Sequence, residues 1–289
     1  MRGFGVENND QDPCVPMNEN ELTPITLVFA GSDPTGGAGI QADIEAIASV
    51  GSHAAPVITA ITAQDTCDVR RVYPMDPEMV ADQARAVLQD MPVAAIKIGM
   101  LGSVEIADTV ASILQDYPQV PVVLDPVLAS GSGTALAETG LPDYLRRYLF
   151  PLVSVATPNS LEARRLANEA DNLDACAQVL LETGCEYLLI TGSHEQTPKV
   201  TNRLYGNRRL LDSYAWDRLP HTYHGSGCTL ASALAGLLAH GMEIFTAVYE
   251  AQHYTWQCLA AAQRLGMGQH LPDRFFWADE SALAGTDEA

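Results

Sequence analysis

The stretch ITLVFAGSDPTGGAGIQADIEAIASVG, residues 25–51, combines two local patterns in one short segment. It begins with a β-branched apolar run of strand length that ends at Gly31. It ends with isoleucines at helical spacing, Ile40, Ile44 and Ile47. A buried strand that passes through a glycine-rich turn into an amphipathic helix is typical of proteins with alternating strands and helices. The segment therefore predicts an α/β fold.

Five further apolar runs of similar length follow, and helical segments separate them. They are APVITAITA (55–63), PVAAIKIGM (92–100), PVVLDPV (121–127), LVSVATPN (152–159) and EYLLITGS (186–193). Continuous apolar runs indicate strands covered on both faces, as in a parallel sheet with crossover helices. By contrast, VTNRLYGNRRLLDSYAW (200–216) has a YGN turn between two alternating runs, which predicts an antiparallel hairpin. Two long helices, from Cys228 to about His240 and from Glu243 to about Leu265, are predicted to close the chain.

The 289 residues divide by pattern into three parts. Residues 1–23 are polar and acidic and are interpreted as a disordered leader. Residues 24–272 show no internal repeat and no linker, which predicts one domain. Residues 273–289 are interpreted as a C-terminal tail.

Acidic residues outnumber basic ones 36 to 16, and the formal net charge is −20. Such a charge repels phosphate backbones and anionic lipid heads, so we expect neither nucleic acid nor a membrane surface as a partner. Only two of the basic residues, Lys97 and Lys199, are lysines. Adaptation to high salt and drift within an acidic proteome both explain this composition, and the sequence leaves both open.

Six cysteines are scattered along the chain without a CxxC motif, which argues against a disulfide scaffold and a zinc site. The N-terminus lacks the basic-then-apolar order of a signal peptide, and no apolar run reaches the roughly 18 residues of a membrane span. These features predict a cytoplasmic protein with reduced thiols.

The segment His224-Gly225-Ser226-Gly227-Cys228-Thr229 precedes the first of the two closing helices. Its glycines allow a tight turn that aims backbone N–H groups at one point, and the helix adds the positive end of its dipole. This pattern predicts an anion-binding loop that can stabilise a phosphoryl group in transfer. Cys228 is expected in the first helical turn, where the pKa of a thiol is typically lowered. A loop that only packs the helix onto the sheet is the alternative.

Carboxylates follow two of the predicted strands. Asp125 ends one strand run, and Asn159 and Glu162 open the helix after another. Because Mg²⁺ keeps several waters and needs only one or two protein carboxylates, Asp125 and Glu162 are candidate magnesium ligands. The alternative for Glu162 is a first-turn acid that favours the helix dipole. Asp43 lies one helical turn beyond the first glycine-rich loop and faces either the same cleft or solvent.

In this order, the motifs AGSDPTGGAGIQAD, TAQDT, KIGML, LDPV, TPNSLEA and HGSGCT resemble those of the hydroxymethylpyrimidine/phosphomethylpyrimidine kinases of thiamine biosynthesis, in the ribokinase-like superfamily. The resemblance runs from about Ile25 to Leu271. It implies a three-layer α/β/α sandwich with a central, mostly parallel sheet. It also implies ATP- and Mg²⁺-dependent phosphorylation of 4-amino-5-hydroxymethyl-2-methylpyrimidine and then of its monophosphate, and by analogy a homodimer.

The resemblance also implies roles for individual residues. Those implied to bind the pyrimidine are Gly31, Asp43, Gln64, Met100 and Val127. Those implied to form the anion hole and to supply the catalytic base are Gly225, Ser226, Gly227 and Cys228. Those implied to support magnesium are Asp125 and Glu162, and those implied to line the ATP phosphates are Asn159, Thr191 and Gly192.

The chain departs from the family pattern at Thr191, where a phosphate-contacting lysine is usual, and in the loop LASGSGTAL after Val127. A pyridoxal kinase of the same superfamily is therefore one alternative function. A non-catalytic pyrimidine-binding sensor is an alternative of another class, although the intact GSGC turn argues against it.

Overall fold

The computed structural model describes residues 23–131, 133–134 and 136–278. The predicted leader lies outside these residues except for Thr23, and so does the part of the predicted tail from residue 279 onward. Among the described residues, no helix is both long enough and apolar enough to cross a membrane.

Strands and helices alternate along most of the described chain. The strands are β1 Ile25–Ser32, β2 His53–Gln64, β3 Val69–Pro74, β4 Val93–Ile98, β5 Val122–Leu124, β6 Val155–Ala156, β7 Tyr187–Ile190, β8 Lys199–Gly206 and β9 Arg209–Asp217. The helices are α1 Gly39–Ser49, α2 Pro77–Asp90, α3 Val104–Asp116, α4 Leu141–Tyr144, α5 Ser160–Leu166, α6 Leu173–Leu181, α7 Ser226–Ala239 and α8 Ile244–Ala260. A π-helical turn, Leu145–Leu149, and a 3₁₀ turn, Phe150–Leu152, follow α4.

The strands of the described chain form one sheet in the order β3-β2-β1-β4-β5-β6-β7-β8-β9. The six strands from β2 to β7 in this order are parallel to their neighbours. Antiparallel strands border them, with β3 at one edge and the hairpin β8–β9 at the other. The predicted hairpin is confirmed. The sequence analysis missed β3, because its polar and charged residues interrupt the apolar pattern.

Helices cover both faces of the sheet. Alternate residues of β1 show this, since Leu27 and Phe29 pack into one buried cluster and Val28 and Ala30 into another. Helices α2 to α6 contribute buried residues to the first cluster, whereas α1, α7 and α8 pack on the opposite face. The predicted three-layer α/β/α sandwich is therefore confirmed.

The structure corrects the predicted end of the last helix. Helix α8 ends at Ala260 and does not reach Leu265. The chain then turns back, and Gln263 and Leu271 pair as a short antiparallel bridge. Beyond this bridge, Arg274 is only 2% exposed. The predicted boundary at 272/273 therefore falls too early, because the packed domain continues past it.

The parallel strands all present their carboxyl ends at the same edge of the sheet. Clefts at this edge are the usual position of ligand sites in open α/β sheets. The glycine-rich loop after β1 and the amino end of α7 both lie at this edge, as described below.

Candidate active site

A cavity of about 570 Å³ lies at the carboxyl edge of the parallel strands. It brings together all but two of the residues that the sequence analysis singled out. These are Gly31, Gln64, Met100, Asp125, Val127, Asn159, Glu162, Thr191, Gly225, Ser226, Gly227 and Cys228. The individual roles of these residues stay predictions, but their assembly into one site is a feature of the structure.

Asp43 is one of the two exceptions. Its side chain is fully buried and forms an ion pair with Lys97, with 2.8 Å between Asp43 Oδ1 and Lys97 Nζ. The Ser232 hydroxyl donates to the same oxygen at 2.6 Å. Asp43 therefore lies behind the cavity wall, and the expectation that it faces the cleft or solvent is wrong.

Gly192 is the other exception. Its backbone N–H donates to Asn202 Oδ1 at 3.0 Å, and a Cβ at this position would overlap with the carbonyl of Thr201. Gly192 therefore allows the loop after β7 to pack on β8, and only its neighbours reach the cavity.

Lys97 was not given a role by the sequence analysis. It lines the cavity from the end of β4 although its side chain has no solvent exposure. Gly99 leaves room for the ammonium group, since a Cβ there would lie 2.7 Å from Nζ. Burial opposes the charged form, but attraction by Asp43, Cys228 and Asp125 outweighs it and raises the pKa of Lys97. The sequence contained one indication that Lys97 has a role in the site: it is one of only two lysines in the chain, and it interrupts an apolar strand run.

The predicted anion-binding loop, residues 224–229, turns tightly into α7. Gly225 is the N-cap of α7 and has a left-handed backbone, with φ of 75°. A Cβ on Gly225 would overlap with the carbonyl of Gly37 in the first glycine-rich loop. Gly225 therefore meets two requirements that other residues do not, and it sets the amino end of α7 against that loop.

A partly buried hydrogen bond joins the two glycine-rich loops. His224 Nε2 lies 2.8 Å from Asp33 Oδ2. Asp33 also accepts from the backbone N–H groups of Thr35 and Ala38, at 2.8 and 2.9 Å. Burial opposes ionisation of Asp33, but the bonds from His224 and Thr35 outweigh it and lower its pKa. Asp33 therefore acts as an anionic centre that holds both loops in place.

The Cys228 thiol lies in the first turn of α7, as predicted, but its electrostatic state differs from the prediction. Burial raises the pKa of Cys228 to about 12, although the charge of Lys97 favours the thiolate. Nearby Asp125 and Asp43 raise it further. The expectation of a lowered thiol pKa is therefore wrong, because burial and the charges of Asp125 and Asp43 outweigh the charge of Lys97.

Asp125 and Glu162 both line the cavity and are almost fully buried. Burial raises the pKa of Asp125 to about 6, against the opposing charge of Lys97. Burial and then the charge of Asp125 raise the pKa of Glu162 to about 8. The charge of Asp125 thus disfavours ionisation of Glu162, and a divalent cation bound in the cavity would stabilise both carboxylates at once.

Glu162 also caps its own helix. Its Oε2 accepts from the Asn159 backbone N–H at 2.9 Å, and the Asn159 side chain accepts from the Glu162 backbone N–H at 3.0 Å. This reciprocal capping box explains why the sequence Asn-x-x-Glu starts α5 at this point. Glu162 is therefore a first-turn acid of α5 as well as a carboxylate of the cavity wall, and its role as a magnesium ligand stays a prediction.

The far end of the cavity is built from β8, β9 and α8. Gln252 is 3% exposed, and its Oε1 accepts from Asn202 Nδ2 at 2.9 Å and from Trp216 Nε1 at 3.1 Å. Trp216 and Trp256 line the cavity as well. No contiguous motif links these side chains, which is why the sequence analysis missed this end.

Arg218 supplies a cation at the same end of the cavity. Its guanidinium donates to the carbonyls of Ser193, Glu195 and Thr197 at 2.8, 2.8 and 3.0 Å. These bonds fix the loop that follows β7 and Thr191. Arg218 was also missed, because the residues that it holds lie 21, 23 and 25 positions away in the sequence.

Solved structures with the same architecture identify the class of protein. The ADP complex of Bacillus subtilis pyridoxal kinase superposes with a TM-score of 0.81 at 27% identity, covering 89% of this chain and 99% of that one. Phosphomethylpyrimidine kinase from Clostridium difficile superposes with a TM-score of 0.70 at 35% identity, covering 81% and 99%. The chain therefore has the ribokinase-like fold of these kinases.

The sequence comparisons narrow this class to a family. The family model for phosphomethylpyrimidine kinase matches residues 33–273. The hydroxymethylpyrimidine/phosphomethylpyrimidine kinase of Synechococcus elongatus is 39% identical over 257 residues, which is 85% of this chain and 95% of that protein. The chain belongs to the phosphomethylpyrimidine kinase family, and the predicted family is confirmed.

Proposed function

We propose that this protein transfers the γ-phosphoryl group of ATP to 4-amino-5-hydroxymethyl-2-methylpyrimidine and then to the resulting monophosphate. One observation carries the proposal: the amino end of α7, with Gly225 to Cys228, lies in the same cavity as Gln64, Met100 and the Asp125–Glu162 pair. A small polar ring, a transferred anion and a divalent cation therefore have complementary groups within one site. The hydroxymethylpyrimidine and phosphomethylpyrimidine kinases that the chain resembles support the same chemistry.

The pyrimidine is placed at the end of the cavity formed by β1, β2 and β4. Gln64 supplies an amide that can donate to and accept from ring nitrogens and the amino group. Gly31 leaves room for the Met100 side chain beside the ring, because a Cβ on Gly31 would overlap with the Met100 methyl group. Met100 and Val127 provide apolar surface for the ring. Asp43 is left out of this set because it is buried against Lys97.

Charge stabilisation by the backbone is the main catalytic contribution that we assign. The transferred phosphoryl group carries its charge on equatorial oxygens, and positioned N–H donors stabilise it. Gly225, Ser226 and Gly227 supply these donors at the amino end of α7. Because its raised pKa keeps the Cys228 thiol protonated at neutral pH, we assign Cys228 a contact with the hydroxymethyl oxygen and not the main rate effect. The monophosphate is already an anion, so the second transfer needs no base.

Asp125 and Glu162 are the residues that would hold magnesium. When bound, the ion neutralises charge on the phosphates of the nucleotide. Lys97, behind Asp125, helps to keep that carboxylate ionised. Asn159 and Thr191 line the cavity beside these carboxylates and are placed along the phosphates.

The pyridoxal kinase alternative has one observation in its favour. The Bacillus subtilis pyridoxal kinase superposes with a higher TM-score, 0.81, than the Clostridium difficile phosphomethylpyrimidine kinase, 0.70. Sequence identity gives the opposite order, 27% against 35%. We place more weight on the identity, because specificity depends on side chains in the pocket and not on the backbone.

ATP consumption should be measured with the pyrimidine alcohol, its monophosphate and pyridoxal side by side. We expect turnover with both pyrimidines at kcat/KM values well above that for pyridoxal. Gln64→Ala should raise KM for the pyrimidine about 5- to 150-fold, because an unmet polar group costs about 1–3 kcal/mol, and should leave KM for ATP unchanged. Gln178→Ala, an exposed position on α6, is the matched control. Turnover with pyridoxal alone would contradict the proposal.

A further inference from the structure

Arg274 is the largest side chain among the fully buried residues of the described chain, at 2% exposure. It lies beyond residue 273, where the match to the family model ends. Its guanidinium donates to two backbone carbonyls of the first glycine-rich loop, Gly36 at 3.3 Å and Gly37 at 2.5 Å. It also forms an ion pair with Glu45 of α1 at 3.0 Å. A residue that the sequence places in a tail is thus built into the wall behind the active site.

The loop held by Arg274 is fixed from both sides. The carbonyls of Gly36 and Gly37 point towards Arg274, whereas the N–H groups of Gly37 and Ala38 donate to Thr35 Oγ1 and Asp33 Oδ2, at 3.3 and 2.9 Å. A peptide plane with bonds at both its carbonyl and its N–H cannot rotate without breaking one of them. Arg274 therefore determines where the Gly37 carbonyl lies.

The position of Gly37 in turn limits the anion-binding loop. Gly225 lies so close to the Gly37 carbonyl that a Cβ would overlap with it. A second route reaches the same loop, since Arg274 Nε donates to Thr229 Oγ1 at 3.0 Å and that hydroxyl donates to the Gly225 carbonyl at 2.9 Å. One guanidinium thus holds both glycine-rich loops at their point of contact.

We propose that Arg274 is a positioning residue for phosphoryl transfer, which sets the amino end of α7 against the glycine-rich loop after β1. The inference rests on the proposed function, because the loop that Arg274 positions is the one assigned to stabilise the transferred group. Arginine suits this role because its planar fork presents five donors in fixed directions. A lysine keeps the charge but cannot reach four acceptors on three elements at once.

The test is Arg274→Lys in the full chain, with Arg146→Lys as the matched control. Arg146 forms a surface ion pair with Glu169 outside the cavity. We expect Arg274→Lys to lower kcat about 10- to 100-fold, since misplacement by about 1 Å costs about 100-fold, with both KM values within about threefold of wild type. The melting temperature is measured in parallel, and kcat is compared at a temperature at which both variants are folded.

A purely structural role would lower the melting temperature and leave kcat of the folded enzyme unchanged, and this result would overturn the inference. An effect on KM alone would overturn it as well. Arg274→Ala with added guanidinium chloride at sub-denaturing concentration gives a second measurement: saturable recovery of kcat, not reproduced by equal NaCl, supports the role, and absence of recovery in a folded variant contradicts it. Failure of the proposed function is separate, because wild-type protein would then show no turnover with the pyrimidines.

Discussion

The two ends of the cavity are held together in different ways. At the end that carries the glycine-rich loops, which we call the reaction end, the His224–Asp33 bond and glycines with no room for a Cβ fix the loops at 31–39 and 224–229. The buried Lys97–Asp43 ion pair lies behind them. At the far end, where we propose that the nucleotide binds and which we call the nucleotide end, side-chain amides and aromatic rings of β8, β9 and α8 make the contacts, and Trp216 stacks on His253. From this difference we infer that the contacts at the reaction end fix the positions of the reacting groups, whereas those at the nucleotide end determine how tightly the nucleotide binds. Substitutions should therefore affect stability and kcat at one end and nucleotide binding at the other.

The two lysines of the chain give the largest expected contrast. Lys97→Met leaves Asp43 as an unpaired buried charge, which costs about 3–5 kcal/mol and should lower the melting temperature on the order of 10 °C. Lys199→Met removes an ion pair with Asp217 whose side chains are 60% and 75% exposed, and should change little. The measurement is thermal unfolding of both variants.

The double variant Lys97→Met/Asp43→Asn serves as the control for this pair. It removes both charges together, so part of the lost stability should return. If Lys97→Met is no more destabilising than Lys199→Met, the reaction end is not built on buried charge.

The glycines at the two ends of α7 test the role of close approach. Gly225→Ala introduces a Cβ against the Gly37 carbonyl and should lower kcat about 100- to 1000-fold, by displacing the donors of the anion-binding loop. Gly241→Ala has nearly the same backbone strain, with φ of 74° against 75°, but nothing lies within 4 Å of its Cβ. It should lower stability and leave kcat near wild type. Equal kcat values for the two variants would show that contact between the loops is unimportant.

At the nucleotide end, Gln252→Ala removes the acceptor of two buried donors, Asn202 Nδ2 and Trp216 Nε1. Each unmet group destabilises the folded protein by about 1–3 kcal/mol. Asn202 and Trp216 line the cavity, so their displacement should also raise KM for ATP severalfold. Steady-state kinetics with each substrate varied in turn should show an unchanged KM for the pyrimidine. A similar rise in both KM values would show that the two ends of the cavity do not bind their ligands independently.

The smallest effect concerns thiol reactivity. Cys67 is exposed, whereas burial raises the pKa of Cys228 to about 12. Because the thiolate is the reactive species, iodoacetamide at pH 8 should modify Cys67 first and Cys228 at least about tenfold more slowly. Peptide mass spectrometry over time measures both rates. Fast modification of Cys228 would show that this residue forms a reactive thiolate, and the thiolate would again be the candidate catalytic base.

The same contrast explains how much could be predicted from the sequence. Each parallel strand and each of the two glycine-rich loops is formed by one contiguous segment, so local sequence patterns were enough to predict them. The Lys97–Asp43 pair joins residues 54 positions apart, and the Asn202–Gln252 bond joins residues 50 apart. Periodicity carries no information about such contacts. Strand β3 was missed for a different reason, since an edge strand with exposed Arg70 and Arg71 lacks the apolar pattern of the central strands.

The bond between Arg274 and Gly37 spans 237 positions of the chain, almost the full described length. On a ribosome that adds about 5–20 residues per second, Arg274 is made about 10–50 s after the loop that it holds. Until then, the first glycine-rich loop has its bonds to Asp33 and Thr35 but lacks the bonds to its carbonyls. The nascent protein can therefore form its sheet before Arg274 fixes the first glycine-rich loop. The order of synthesis makes the fixing of this loop one of the last events of folding.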